Sequence, residues 1–169
     1  MTNVRWLTSC VAAVLCFNAP AMAQFPASST ATVHNACGDV SPFEAGYDIG
    51  PANYPPQPQQ STLDGTARYK NSWEIFRSGS IEPYNSALQA FTADLGRISR
   101  TAVRRAAAGT CTMDEFAEIH DALSRQYEMA GDEYIAPYFA AIATLRSENI
   151  WAATETQRLI VCARFGCSP

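Results

Sequence analysis

Seven apolar residues, Tyr84, Leu88, Phe91, Leu95, Ile98, Ala102 and Ala106, recur at steps of four and three between a proline and a glycine. Nothing else in the chain restricts the fold as tightly. The spacing puts all seven on one stripe of an α-helix, and such a stripe must be buried against other helices. Pro83 suits the first turn of this helix and Gly109 its C-terminal cap. Gly96, in the interior, costs some stability without breaking the pattern.

The same period recurs on both sides. A shorter helix is expected over 62–78, with Trp73, Ile75 and Phe76 apolar and Gly79 as its stop. Gly65 moves its start toward Thr66. Thr112-Met113-Asp114-Glu115 is a capping box, and it opens a helix with Phe116, Ile119, Leu123 and Tyr127 inward. The stripe continues in phase through Ala130, Tyr134, Tyr138, Ile142 and Leu145. Gly131-Asp132 reads as a stop with a new N-cap, and Pro137 as a kink or a new start, so 113–147 is one kinked helix or two. A last helix is expected over 150–164, ending at Gly166. The fold class is all-α: a small disulfide-stapled bundle of about four helices over 61–169.

Residues 24–60 read as an irregular Pro/Gly-rich arm and linker. Six prolines from Pro26 to Pro58 remove backbone donors, so neither a helix nor a central strand can persist there. Phe43, Tyr47 and Tyr54 imply that the arm drapes over the bundle.

Residues 1–23 have the order of a cleavable signal. A short basic head precedes an apolar run of roughly a dozen residues, and Ala21-Met22-Ala23 is an A-x-A cleavage site. The run is too short to span a membrane, which takes about 20 residues. Removing the signal leaves 146 of the 169 residues, and 11 basic against 16 acidic side chains. A modestly acidic chain is a poor partner for nucleic acid. The expected location is periplasmic or secreted, with no transmembrane segment in the mature chain.

Four cysteines survive cleavage: Cys37, Cys111, Cys162 and Cys167. An even number in an exported chain reads as two disulfides. If 113–147 is one kinked helix, the last helix returns toward the turn, and Cys111 bonds Cys162 or Cys167. If the chain reverses near Gly131, Cys37–Cys111 and Cys162–Cys167 follow. The in-phase stripe favours the first arrangement. A zinc set can be drawn from His34 and the cysteines, but no paired C-x-x-C motif supports it, so no metal and no cofactor is expected.

No Gly-rich phosphate loop, G-x-S-x-G or H-E-x-x-H motif is present. His120-Asp121 is the one His–Asp neighbour pair, and a His with a carboxylate can serve as a general base. Adjacent helical residues point about 100° apart, however, so Asp121 does not naturally orient His120. Arg97, Arg100, Arg104 and Arg105 form a basic run whose expected partners are Asp114, Glu118 and Asp121 across an antiparallel hairpin. Tyr127, Tyr134, Tyr138, Phe139 and Trp151 make an aromatic region. Tyr127, Tyr134, Tyr138 and Trp151 are the candidate binding residues if their rings are exposed.

In general architecture the chain is similar to periplasmic immunity proteins that block peptidoglycan-degrading toxins, and to envelope adaptor and secretion accessory proteins. That similarity implies a non-enzymatic binding protein of the bacterial cell envelope, whose partner is another envelope or secreted protein. The alternative is a small secreted hydrolase using His120 with a carboxylate.

Overall fold

In the computed structural model, which describes residues 31–167, the helical part forms two continuous rods in place of about four separate helices. The expected signal at 1–23 and the start of the arm at 24–30 lie outside the described residues. Helix α1 (Leu63–Phe76) joins α2 (Glu82–Ala107) end to end through a π turn, Arg77–Ile81. Helix α3 (Met113–Met129) joins α4 (Ile135–Phe165) through a second, Ala130–Tyr134. Helices hold 74% of the structure, which makes it an all-α protein in outline.

Two prolines account for both π turns. Pro83 offers no N–H to the carbonyl of Gly79, and Pro137 none to that of Glu133. Both carbonyls fall inside the π turns, where bonding shifts to the fifth residue on, so each helix widens there without ending. Gly79 and Gly131 are therefore passed through and stop nothing. The wide turn also resets the apolar phase. Eight residues of regular helix would carry Ile81 about 80° away from Trp73. The π turn takes that rotation back, and both residues are buried in one cluster.

Residues 108–112 reverse the chain. Gly109 sits at φ 68°, where a side chain would be strained, and Thr110 N–H closes the end of α2 on the Arg105 carbonyl at 2.9 Å. The capping box then starts α3. Thr112 Oγ1 accepts from Glu115 N–H at 3.2 Å, and the Glu115 carboxylate accepts from Thr112 N–H at 2.8 Å. That backbone bond holds the Glu115 carboxyl below its usual range. Helix α1 is capped by Thr62, whose hydroxyl accepts from Gly65 N–H at 2.9 Å. A Cβ on Gly65 would stand 2.9 Å from that hydroxyl oxygen, so the glycine serves the cap and the helix starts at Leu63, earlier than expected.

The two rods run antiparallel. Tyr84 donates to the Tyr134 carbonyl at 2.8 Å, Tyr69 to Glu148 at 2.8 Å, and Thr156 to Thr66 at 3.2 Å. Along one face lies the arm. It begins at the turn as a hairpin of β1 (Val33–Asn35) and β2 (Gly38–Val40), in the register Val33 with Val40. It then passes Phe43 and Ile49 over the rods, makes a 3-10 turn at Pro51–Asn53, and lays Tyr54 against Trp73 and Phe76. Near the start of α1, Gln57 donates to Glu148 at 2.9 Å.

The disulfides are Cys37–Cys111 and Cys162–Cys167. The expected bond from Cys111 to the last helix does not form, because that helix never returns. Residues 113–165 run on to the opposite end, which places Cys111 and Cys162 on the order of 75 Å apart at about 1.5 Å per residue. The core divides in two. One cluster is rich in rings around Trp73, Tyr69, Tyr84 and Leu145, and the other is aliphatic around Cys37, Val40, Leu95, Ile98 and Ile119.

Candidate functional site

The arm covers one face of the helix pair and leaves the other bare. In α2, Phe91 and Ile98 lean toward the arm, where Phe43 packs on Phe91 with ring centroids 5.1 Å apart. At 100° per residue, Asn85, Gln89, Thr92, Gly96, Ser99 and Val103 line the opposite side. There, Asn85, Leu88, Gln89 and Thr92 of α2 meet Ile135, Tyr138 and Phe139 of α4 around a shallow groove of about 220 Å³. No charged side chain lines it. Phe139 is 63% exposed at its edge. One helical turn toward the closed end, the Tyr127 hydroxyl lies beside Gly96, 3.6 Å from where a Cβ would stand, and Tyr127 is 45% exposed.

The four tyrosine and tryptophan candidates are thus split. Tyr127 and Tyr138 share the bare face, although Tyr127 belongs to a stripe expected inward. Tyr134 turns the other way, with its ring 4.8 Å from that of Phe43. Burial pushes its phenol above the ordinary value, and the Glu133 charge adds to that. Trp151 packs edge-on against Tyr69 at 5.4 Å, inside the ring cluster. Sequence reasoning passed over the α2 wall of the groove. Its signal is an uncharged row at helical spacing, Asn85, Gln89, Thr92, Gly96, Ser99, Val103, beside the apolar stripe.

His120 and Asp121 stand in water, with side chains 66% and 71% exposed. Their nearest atoms, Nδ1 and Oδ1, are 3.9 Å apart, beyond hydrogen-bond reach. The imidazole leans on Phe116, ring centroids 6.2 Å apart, and the carboxylate does not orient it.

The basic run does not pair across the hairpin. Arg97 binds Asp94 at 2.7 Å, Arg104 donates to the Arg100 carbonyl at 3.3 Å, and Arg105 donates to the Ala36 carbonyl at 3.0 Å. Glu118 instead accepts from Asn35 at 2.9 Å, so it ties the β-hairpin to α3. Helix–helix contact runs through the apolar stripes, and these arginines sit on the flank. The four cysteines among the described residues are all bridged, and no cluster of three or more His, Cys, Asp or Glu side chains suited to a metal occurs among those residues.

No known protein family, curated protein or solved structure matches this chain.

Proposed function

We propose that the protein is an exported, non-enzymatic binding protein that holds another envelope or secreted protein on the bare face of its helix pair. One observation carries the reading: the groove between Asn85–Thr92 and Ile135–Phe139 is uncharged and edged by an exposed phenylalanine, on the face the arm does not cover. Loss of charge with exposed aromatic rings is the composition of protein interface centres. The groove is too open to enclose a small molecule, and suits a projecting apolar side chain of a folded partner. Two disulfides, with no helix among the described residues long and apolar enough to cross a membrane, are compatible with a periplasmic or extracellular site of action.

The test is quantitative capture from the envelope fraction with the mature protein, Phe139→Glu, and Ile75→Glu. Ile75 is exposed elsewhere on α1 and serves as the control. A centrally placed aromatic contributes about 2 kcal/mol to binding, so Phe139→Glu should lower the affinity roughly 30-fold. Ile75→Glu should leave it unchanged. Equal recovery of the same partner by Phe139→Glu rules the face out.

A further inference from the structure

The β-hairpin presents a second surface, separate from the bare helical face. Its strands are joined by Ala36 and Cys37 alone, and they pair Asn35 with Gly38, His34 with Asp39, and Val33 with Val40. In an antiparallel ladder with a two-residue connection, the pair beside the turn is hydrogen-bonded and the pairs then alternate. The N–H and C=O of Asp39 therefore point out of the free edge of β2. Neither finds a backbone partner among the described residues.

Beneath this edge lies the shoulder of α2. The hairpin rests on its buried side, where Val40 is enclosed and a Cβ on Gly38 would stand 3.4 Å from Ile98. Between the edge and the helix runs a groove of about 300 Å³. Asp39 and Ser41 bound it on one side, half-buried Pro42 and Phe91 give it an apolar patch, and Arg105 stands at its turn end. Asp39 and Asp94 stand in its lining with Arg97 and Arg105; Asp94 neutralises Arg97, and the Asp39 carboxylate is hydrogen-bonded to the His34 imidazole. Arg105 spends one N–H on the Ala36 carbonyl and has no carboxylate within ion-pair distance among the described residues. Arg105 is thus the one guanidinium of the groove without a carboxylate partner among the described residues, and it stands beside a strand edge with free backbone groups.

We infer that this groove takes an extended peptide ending in a free carboxylate, which adds to β2 as a third strand. Backbone bonds to Asp39 supply the pairing, an apolar side chain rests on Pro42 and Phe91, and the carboxylate meets the Arg105 guanidinium. Because Arg105 lies at the turn end, the added strand runs antiparallel to β2. The Cys37–Cys111 bond holds the edge in place on the helix pair.

The test uses the oxidised mature protein and a fluorescent hexapeptide of alternating threonine and valine with a free C-terminus, followed by polarisation and by the NMR shift of the Asp39 amide. The acid should bind saturably and move that amide. Amidating the peptide, or Arg105→Met, removes a charge-assisted bond and should weaken binding about tenfold. Asp39→Pro deletes the outward N–H and no bond of the ladder, so it should abolish binding. N-methylation of alternate peptide amides should do the same without touching the protein. Phe139→Glu should change nothing, which separates this site from the bare helical face. The inference fails if acid and amide bind alike, if Asp39→Pro or N-methylation leaves binding intact, or if no saturation is reached by about 1 mM peptide. Self-association that Asp39→Pro removes would also overturn it, by seating a second copy on the edge.

Discussion

The two ends of the helix pair solve the same packing problem with different materials. At the closed end the side chains are short and aliphatic, and the arm is a regular hairpin fastened by Cys37–Cys111. At the open end the arm has no regular structure beyond one 3-10 turn, yet Phe43 and Tyr54 anchor it among Tyr69, Trp73, Phe76 and Tyr84. A two-stranded hairpin is marginal in water by itself, so a pair of three-residue strands needs the covalent clamp. Large rings bury enough area to hold an irregular segment without one. Among the described residues, only Phe91 packs against both clusters, which makes it the joint between them.

Removing the clamp should break the closed end most. Cys37→Ala with Cys111→Ala opens a loop with sequence separation 74, and in the chain-entropy model such a loop is worth about 4.5 kcal/mol. Denaturant unfolding measures the loss. Native-state hydrogen exchange should show the deficit over 33–40 and both sides of the 108–112 turn, with α1 and the facing part of α4 retaining protection. Uniform loss of protection would mean the ends are one cooperative unit. Trp73→Ala tests the converse. The side chain is 1% exposed, and its truncation should cost about 4 kcal/mol, with protection lost first around Tyr54, α1 and Trp151. The intermediate case is Tyr84→Phe, which leaves the Tyr134 carbonyl without its donor for about 1 kcal/mol, measured the same way.

The smallest effect is electrostatic and confined to the open end. Arg158 donates to Glu155 at 2.6 and 2.8 Å and, with Ser61, lowers its carboxyl to about 2. A carboxyl lowered by folding contributes stability at pH above its unfolded value, and that contribution disappears as pH falls from there through about 2. Glu155→Gln should therefore lower the neutral plateau slightly, as expected for a solvent-screened pair, and flatten the acid limb of the stability profile between about pH 4.5 and 2 by the same amount. A steeper acid limb in that variant would contradict the assignment.

Much of the helical pattern was legible because it rests on local chemistry. The stripe from Tyr84 to Ala102 is turned inward as its spacing requires, and Thr112 with Glu115 closes the capping box its sequence announces. What misled was punctuation. Gly79 and Gly131 carry weak helix propensity, but a proline four or six residues on had already committed each site to a π turn, and neighbouring packing carries the helix through. The disulfide pairing failed for the same reason, since a chain expected to turn back ran straight. Of the aromatic candidates, Tyr134 and Trp151 were drawn inward by Phe43 and Tyr69, partners far away in sequence that no periodicity could reveal. Tyr127 went the other way, out onto the bare face beside Gly96.

A π turn holds one residue more than the α turn it replaces, so each rod behaves like a regular helix that has accepted a single-residue insertion. Deleting Ser80, or one residue of 130–134, would then shorten the chain while asking the helix to close up as ordinary coil. Ile81 would then stand seven residues after Trp73, about 20° from it on a regular helix, so the far side of the deletion would keep its facing. The two widened places are thus where this protein keeps its angular bookkeeping, and the loss of one residue there is absorbed within a turn, whereas the same loss elsewhere in a rod turns everything beyond it by about 100°.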